Sequence, residues 1–180
     1  MGNLSKIKKV SKIFHLLLSL YLIVLPLYYI LYWAFINHLP ATFITVNIAS
    51  TPLIPSPLSG SLQIIGFLVS LLPLSALLYA VMNIRKLFSF YRDGIIFSYE
   101  HVKIFKETAK ALLFWVFLSI VYEAAKSVLF SISNPPGQRV LSVGFTSAEM
   151  TILVAAGIIF VVAWVMDEGR ILTEEQQLTV

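Results

Sequence analysis

The sequence contains no cysteine. Disulfides, thiolate chemistry and Cys-ligated zinc or iron–sulfur centres are therefore excluded. Charge is also scarce: 12% of residues are Asp, Glu, Lys or Arg, against about a quarter in an ordinary soluble domain. Histidine is limited to His15, His38 and His101, and no two stand at the i, i+4 spacing of a helical metal pair. No Walker loop, G-x-S-x-G, H-E-x-x-H or dinucleotide fingerprint is present. The chain is thus expected to be non-enzymatic, with no metal and no cofactor.

What the chain does hold is apolar bulk, 58% of its 180 residues, with a mean hydropathy of +0.87. A soluble fold of this size could not cover so much apolar surface. The expected solvent is lipid, and the expected fold is a single all-α integral membrane domain over residues 1–180. A helix needs roughly 20 apolar residues to cross about 30 Å of hydrocarbon. Four such runs occur, over about 13–36, 62–82, 111–132 and 148–166, which predicts a four-transmembrane-helix bundle. The first run is too long, and lacks the small-x-small site, for a cleavable signal peptide. The sequence MGNLSK has Lys6 where myristoylation wants Ser or Thr.

Direction follows from Lys and Arg. Eleven of the thirteen lie in the N-terminal tail, in the segment 83–110 between spans two and three, or in the tail 167–180. The loop 37–61 has none, the loop 133–147 has Arg139 alone, and Lys126 lies within the third span. By the positive-inside rule the basic side is cytoplasmic, which puts both termini inside. The basic residues mark topology and contact with anionic lipid; no nucleic-acid reader motif accompanies them.

The outer loops are expected to form strands. Thr42–Asn47 and Arg139–Phe145 are rich in β-branched and aromatic residues, and pairing the two would give a small extracytoplasmic β cap. Two irregular loops are the alternative. Inside, Arg85–Arg92 should continue the second span, with a break at Asp93-Gly94 and Ser98 capping a new helix. Val102, Phe105 and Ala109 share one face of that helix, which suggests an interfacial amphipathic segment or a partner-binding one.

Two stretches on the basic side resemble each other: Asp93-Gly94-Ile95-Ile96-Phe97-Ser98-Tyr99-Glu100 and Glu168-Gly169-Arg170-Ile171-Leu172-Thr173-Glu174-Glu175. Both read acid, Gly, any, Ile, large apolar, hydroxyl, any, Glu. The pattern predicts in each case a helix stop, a turn and a newly capped helix, with Thr173 and Gln176 matching a capping box. It also suggests a 2+2 internal duplication. The stretches FYRDGIIFSYEHV and DEGRILTEEQQLTV resemble the two signature regions of the family called domain of unknown function 2975. The resemblance extends to length, four-span layout and the Leu-Thr-Val ending. It implies a bacterial inner-membrane protein. It implies no activity, but points to a regulatory partnership, since members are often encoded beside a small helix-turn-helix regulator.

Within the spans, Glu123 stands out as a carboxylate placed about the middle of the third run, with Lys126 one turn on. An intrahelical ion pair and a titrating or ligand-binding carboxylate are both open readings. Pro26 and Pro73 should kink their helices. Tyr28, Tyr29, Tyr32 and Trp33 read as an interfacial belt or a lined pocket, and Trp115 and Trp164 as inner belt residues. Glu149 and Asp167 read as solvated charges flanking the fourth span. Two functions compete. One is a regulatory or sensing membrane protein that presents the two glycine motifs to a cytoplasmic protein partner. The other is a small oligomeric transporter or channel that uses Glu123.

Overall fold

The computed structural model describes residues 3–40, 57–95 and 98–178, with side chains to residue 172. Its elements are helix α1 (Asn3–Ala34), a 3₁₀ turn (Ile36–His38), α2 (Gly60–Asp93), α3 (Tyr99–Ser131) and α4 (Ser147–Leu178). All four α-helices are long and apolar enough to cross a membrane. The order of packing is sequential: α1 lies on α2, α2 on α3, and α3 on α4. The two middle helices bury the most and α1 the least. Large apolar side chains such as Leu16, Ile23, Phe117 and Val165 stand exposed, as they must where lipid is the solvent.

Small residues line the contacts. Ser70, Ala76 and Ala80 of α2, Thr108, Ala109 and Ala111 of α3, and Ala156 and Ala163 of α4 are buried. Lipid gives helices no hydrophobic reason to associate, so close approach at small side chains is what holds them. Hydroxyls in these interfaces return to their own helix. Thr108 Oγ1 donates to the Ile104 carbonyl at 2.8 Å and Ser127 Oγ to that of Ala124 at 2.7 Å, so these two hydroxyls are satisfied in an apolar layer. Both α1 and α2 continue through their prolines, Pro26 and Pro73.

Gly66 fixes how α1 meets α2. A Cβ there would fall 2.1 Å from the Trp33 ring. Trp33 is 2% exposed and stacks on Phe130 of α3, with ring centroids 6.5 Å apart. Trp33 is therefore a core residue, in a cluster with Ile36, Leu58, Tyr122 and Leu129, and not part of a surface belt. Tyr28, by contrast, is exposed. The Asn37 side-chain amide closes the neck of the first loop, accepting from Leu58 N–H at 2.8 Å and donating to its carbonyl at 2.9 Å.

The predicted β cap is not found. Thr42–Asn47 lies outside the described residues, and Arg139–Phe145 forms no strand. The second segment is strand-like in composition but pairs with a helix. Val140 N–H donates to Ser131 Oγ at 3.0 Å and Ser142 N–H to Ser127 Oγ at 2.9 Å. Two extended residues advance about 6.6 Å and one helical turn about 5.4 Å, so alternate amides meet successive hydroxyls. The chain descends α3 in this way to the Glu149–Ser119 contact. Helix α4 thus starts twelve residues, or about 18 Å, below the end of α3.

The interfacial helix is also corrected. Helix α3 is unbroken from Tyr99 to Ser131, because no Gly or Pro interrupts it. Its first turns bury His101, Val102 and Ile104 in the bundle instead of lying flat on a surface. The second glycine motif differs from the first in the same respect. Gly94 adopts φ 88° and ends α2, whereas Gly169 lies inside α4, which runs on through Thr173. No helix stops there and none begins at Thr173, whose side chain lies outside the described residues, and the duplication gains no support.

Candidate functional site

One turn of α3 places Glu123 and Lys126 on a common face. Lys126 Nζ lies 2.6 Å from Glu123 Oε1, with side-chain exposures of 7% and 14%. The pair faces the bundle interior and not lipid. The Lys126 ammonium also sits 5.4 Å from the centre of the Tyr122 ring, an attractive placement for a cation. Glu123 Oε2 is buried with no hydrogen-bond partner among the described residues. A carboxylate with one oxygen paired and one free can accept a further proton or donor.

Trp33, in one core cluster with Tyr122, also lines a cavity of about 520 Å³ with Ile30, Ala34, Gly60, Gln63, Ile64 and Phe67. The size suits a small apolar ligand, and among the described residues its polar lining groups are the Gln63 amide and the Trp33 indole. Toward the basic end the interior closes on Ala80, Ala111, Leu112 and Ala156, packed with Ile152 and Ile159.

At the basic end, Gly94 N–H bonds to the Tyr91 carbonyl at 3.1 Å and Ile95 N–H to that of Phe90 at 3.0 Å. This is the two-bond glycine termination that satisfies the last carbonyls of a helix. A Cβ at Gly94 would meet Lys8 Cε at 2.7 Å, so an ammonium of α1 lies over the negative end of the α2 dipole. Ser98 Oγ and His101 Nδ1 are 2.6 Å apart, and the imidazole packs against Phe90 and Tyr91. Burial holds the His101 pKa below its ordinary value, with the Ile95 carbonyl pulling the other way.

The second stretch comes to the same end. Lys106 Nζ of α3 bonds to Asp167 Oδ2 of α4 at 3.0 Å, and Arg170 to Oδ1 at 3.2 Å. These bonds hold the Asp167 carboxyl below the usual value, Lys106 first. The Arg170 guanidinium stands 5.7 Å from the Tyr99 ring centre. The two motifs are therefore neighbours, and Ile95, Tyr99, Ile171 and Leu172 are exposed around them. Asp93, Glu100 and Glu168 are exposed too, with Glu100 3.6 Å from Lys86. Phe97 and the Thr173 and Glu175 side chains lie outside the described residues.

Neither Asp167 nor Glu149 is a solvated end charge. Glu149 is 6% exposed. It accepts Thr146 N–H at 2.8 Å and Ser119 Oγ–H at 3.3 Å, and it also takes the Thr146 hydroxyl. Thr146 Oγ1 in turn accepts Ala148 N–H at 3.2 Å, so residues 146–149 form a capping box tied to α3. The Thr-x-x-Glu spacing was its sequence signal. Among the described residues no cluster of His, Asp or Glu could hold a metal.

The family model described as protein of unknown function (DUF2975) matches residues 45–180. No curated protein matches the chain, and no solved structure does.

Proposed function

The chain belongs to the DUF2975 family, and we propose that it is a non-enzymatic sensing protein of the bacterial inner membrane, with both termini cytoplasmic and a soluble protein partner. The observation that carries this reading is the single unbroken α3, Tyr99–Ser131. That helix carries the polar pair and, at its start, Tyr99 and Glu100 of the first motif stretch, and its Lys106 binds Asp167 of α4 beside the second. A rigid element shared by two sites is what couples them, once a ligand at one site favours one of two arrangements.

From Lys110, the last charged residue before the third apolar run, thirteen residues of α3 rise about 20 Å to Glu123, within a hydrocarbon about 30 Å thick. The cavity beside Trp33 is at the same level, where an envelope ligand or outer-leaflet lipid has access. The cytoplasmic patch of Ile95, Tyr99, Ile171 and Leu172 is the surface offered to the partner.

The alternative, a small oligomeric transporter or channel, rests on Glu123 and its free oxygen. Crosslinked pull-downs from native membranes separate the two. A sensor captures a partner that Tyr99→Glu and Ile171→Glu variants lose while still accumulating. A transporter shows liposome flux that Glu123→Gln abolishes, with no such partner.

A further inference from the structure

The basic residues at the inner end of α1 and α2 are not spread evenly. His15 of α1 faces Met82, Arg85, Lys86 and Ser89 of α2 across a cavity of about 250 Å³. The α2 residues lie on one face of their helix, because 82, 85, 86 and 89 are three and four apart. The two other α2 cations are matched: Lys86 lies 3.6 Å from Glu100, and Arg92 3.2 Å from Asp93. Arg85 has no ion pair among the described residues. Arg92 also donates to Ser89 Oγ at 3.3 Å, which leaves the Ser89 hydroxyl proton free to be given to an acceptor. A planar guanidinium, an imidazole N–H and a hydroxyl thus converge on one small space, the donor set that binds a tetrahedral oxyanion.

The cavity floor is apolar and opens on lipid-facing surface. Met82 is 51% exposed, Tyr79, one turn outward on the same face, 46%, and Leu16 of α1 70%. A ligand with a phosphate at one end and hydrocarbon at the other matches both parts. We propose that this cavity binds the phosphodiester headgroup of an anionic phospholipid of the inner leaflet, with its acyl chains along Met82 and Tyr79. Arg85 makes the principal phosphate contact, and Ser89 and His15 complete it. The site lies between α1 and α2, so an occupied site clamps the least buried helix of the bundle onto its neighbour.

The test is native mass spectrometry of the full chain, purified in mild detergent and titrated with phosphatidylglycerol, phosphatidylcholine or inorganic phosphate. Arg85→Gln is compared with Lys103→Gln, which removes an exposed cation on α3 outside the cavity. Ser89→Ala serves as a second site variant that removes no charge. Gel filtration confirms that each variant folds. The site predicts that phosphatidylglycerol is retained over phosphatidylcholine. Arg85→Gln should weaken retention about tenfold and Ser89→Ala a few-fold, on the strength of charge-assisted hydrogen bonds, with Lys103→Gln unchanged. Equal losses in Arg85→Gln and Lys103→Gln would overturn the site in favour of diffuse attraction. Displacement of the lipid by millimolar inorganic phosphate would overturn the lipid as its occupant.

Discussion

Replacing Lys126 with Met keeps most of the side-chain volume and removes the ammonium. The Glu123 carboxylate would then stay behind at 14% side-chain exposure, with Oε2 already lacking a partner and Oε1 losing its own at 2.6 Å. Breaking a buried pair by removing one member costs about 3–5 kcal/mol. At 1.4 kcal/mol per tenfold, that shifts the folding equilibrium by about two to three and a half decades. Glu123→Gln should cost less, about 1–3 kcal/mol, because the long Lys126 stem can carry its charge toward the outer surface. The double variant, Glu123→Gln with Lys126→Met, leaves no charge and should return to within about 1 kcal/mol of wild type. Reversible unfolding by SDS in mild-detergent micelles reads all four corners of the cycle. A Lys126→Met variant within about 0.5 kcal/mol of wild type, or a double variant equal to the sum of the singles, would refute the buried pair.

Gly66→Ala should drive the Trp33 ring from its seat and cost about 1–3 kcal/mol, seen as a lowered melting temperature and a shifted tryptophan emission. Glu149→Ala should cost about 1–2 kcal/mol through loss of the α4 cap, with Glu149→Gln retaining part of it, since Gln also serves in a capping box. The His101 pKa is lowered in the folded chain. The unfolded chain therefore takes up a proton first, and stability should fall as pH drops below about 6.5. Thermal melts at pH 7.5 and 5.5 should show a larger difference in wild type than in His101→Asn; equal differences would contradict burial of the imidazole. Because the chain lacks cysteine, Ser127→Cys combined with Ser142→Cys tests the descending segment directly. The two should crosslink on mild oxidation, and a pair that stays reduced would place the segment elsewhere.

Much of the architecture could be read from apolar run length alone. The four runs became four helices because lipid leaves no other solution for backbone hydrogen bonding. The glycine break at Asp93-Gly94 was legible, and the structure gives it a left-handed Gly94 and two capping bonds. The matching pattern at Glu168-Gly169 misled, since glycine permits a stop without requiring one, and α4 continues through it. Strand propensity at Arg139–Phe145 did not give a strand, because the amides of Val140 and Ser142 are taken by Ser131 and Ser127 of α3. Between the belt and the lined pocket that Trp33 allowed, composition could not choose, because it does not reveal that Gly66 would sit opposite it. Long-range pairings such as Lys106–Asp167 and Ser119–Glu149 depend on the register between helices, which no local pattern specifies.

In the proposed sensor the Glu123–Lys126 pair and the cytoplasmic face act through one helix. The most direct test of that coupling is site-specific photo-crosslinking from position 99, an exposed site beside both motifs, in native membranes of wild type and Glu123→Gln. Wild type should give a discrete partner adduct whose yield changes at least about threefold in Glu123→Gln at equal protein level, the effect of a coupling free energy of about 0.65 kcal/mol or more. An adduct of unchanged yield, or none at all together with Glu123-dependent flux, would contradict it.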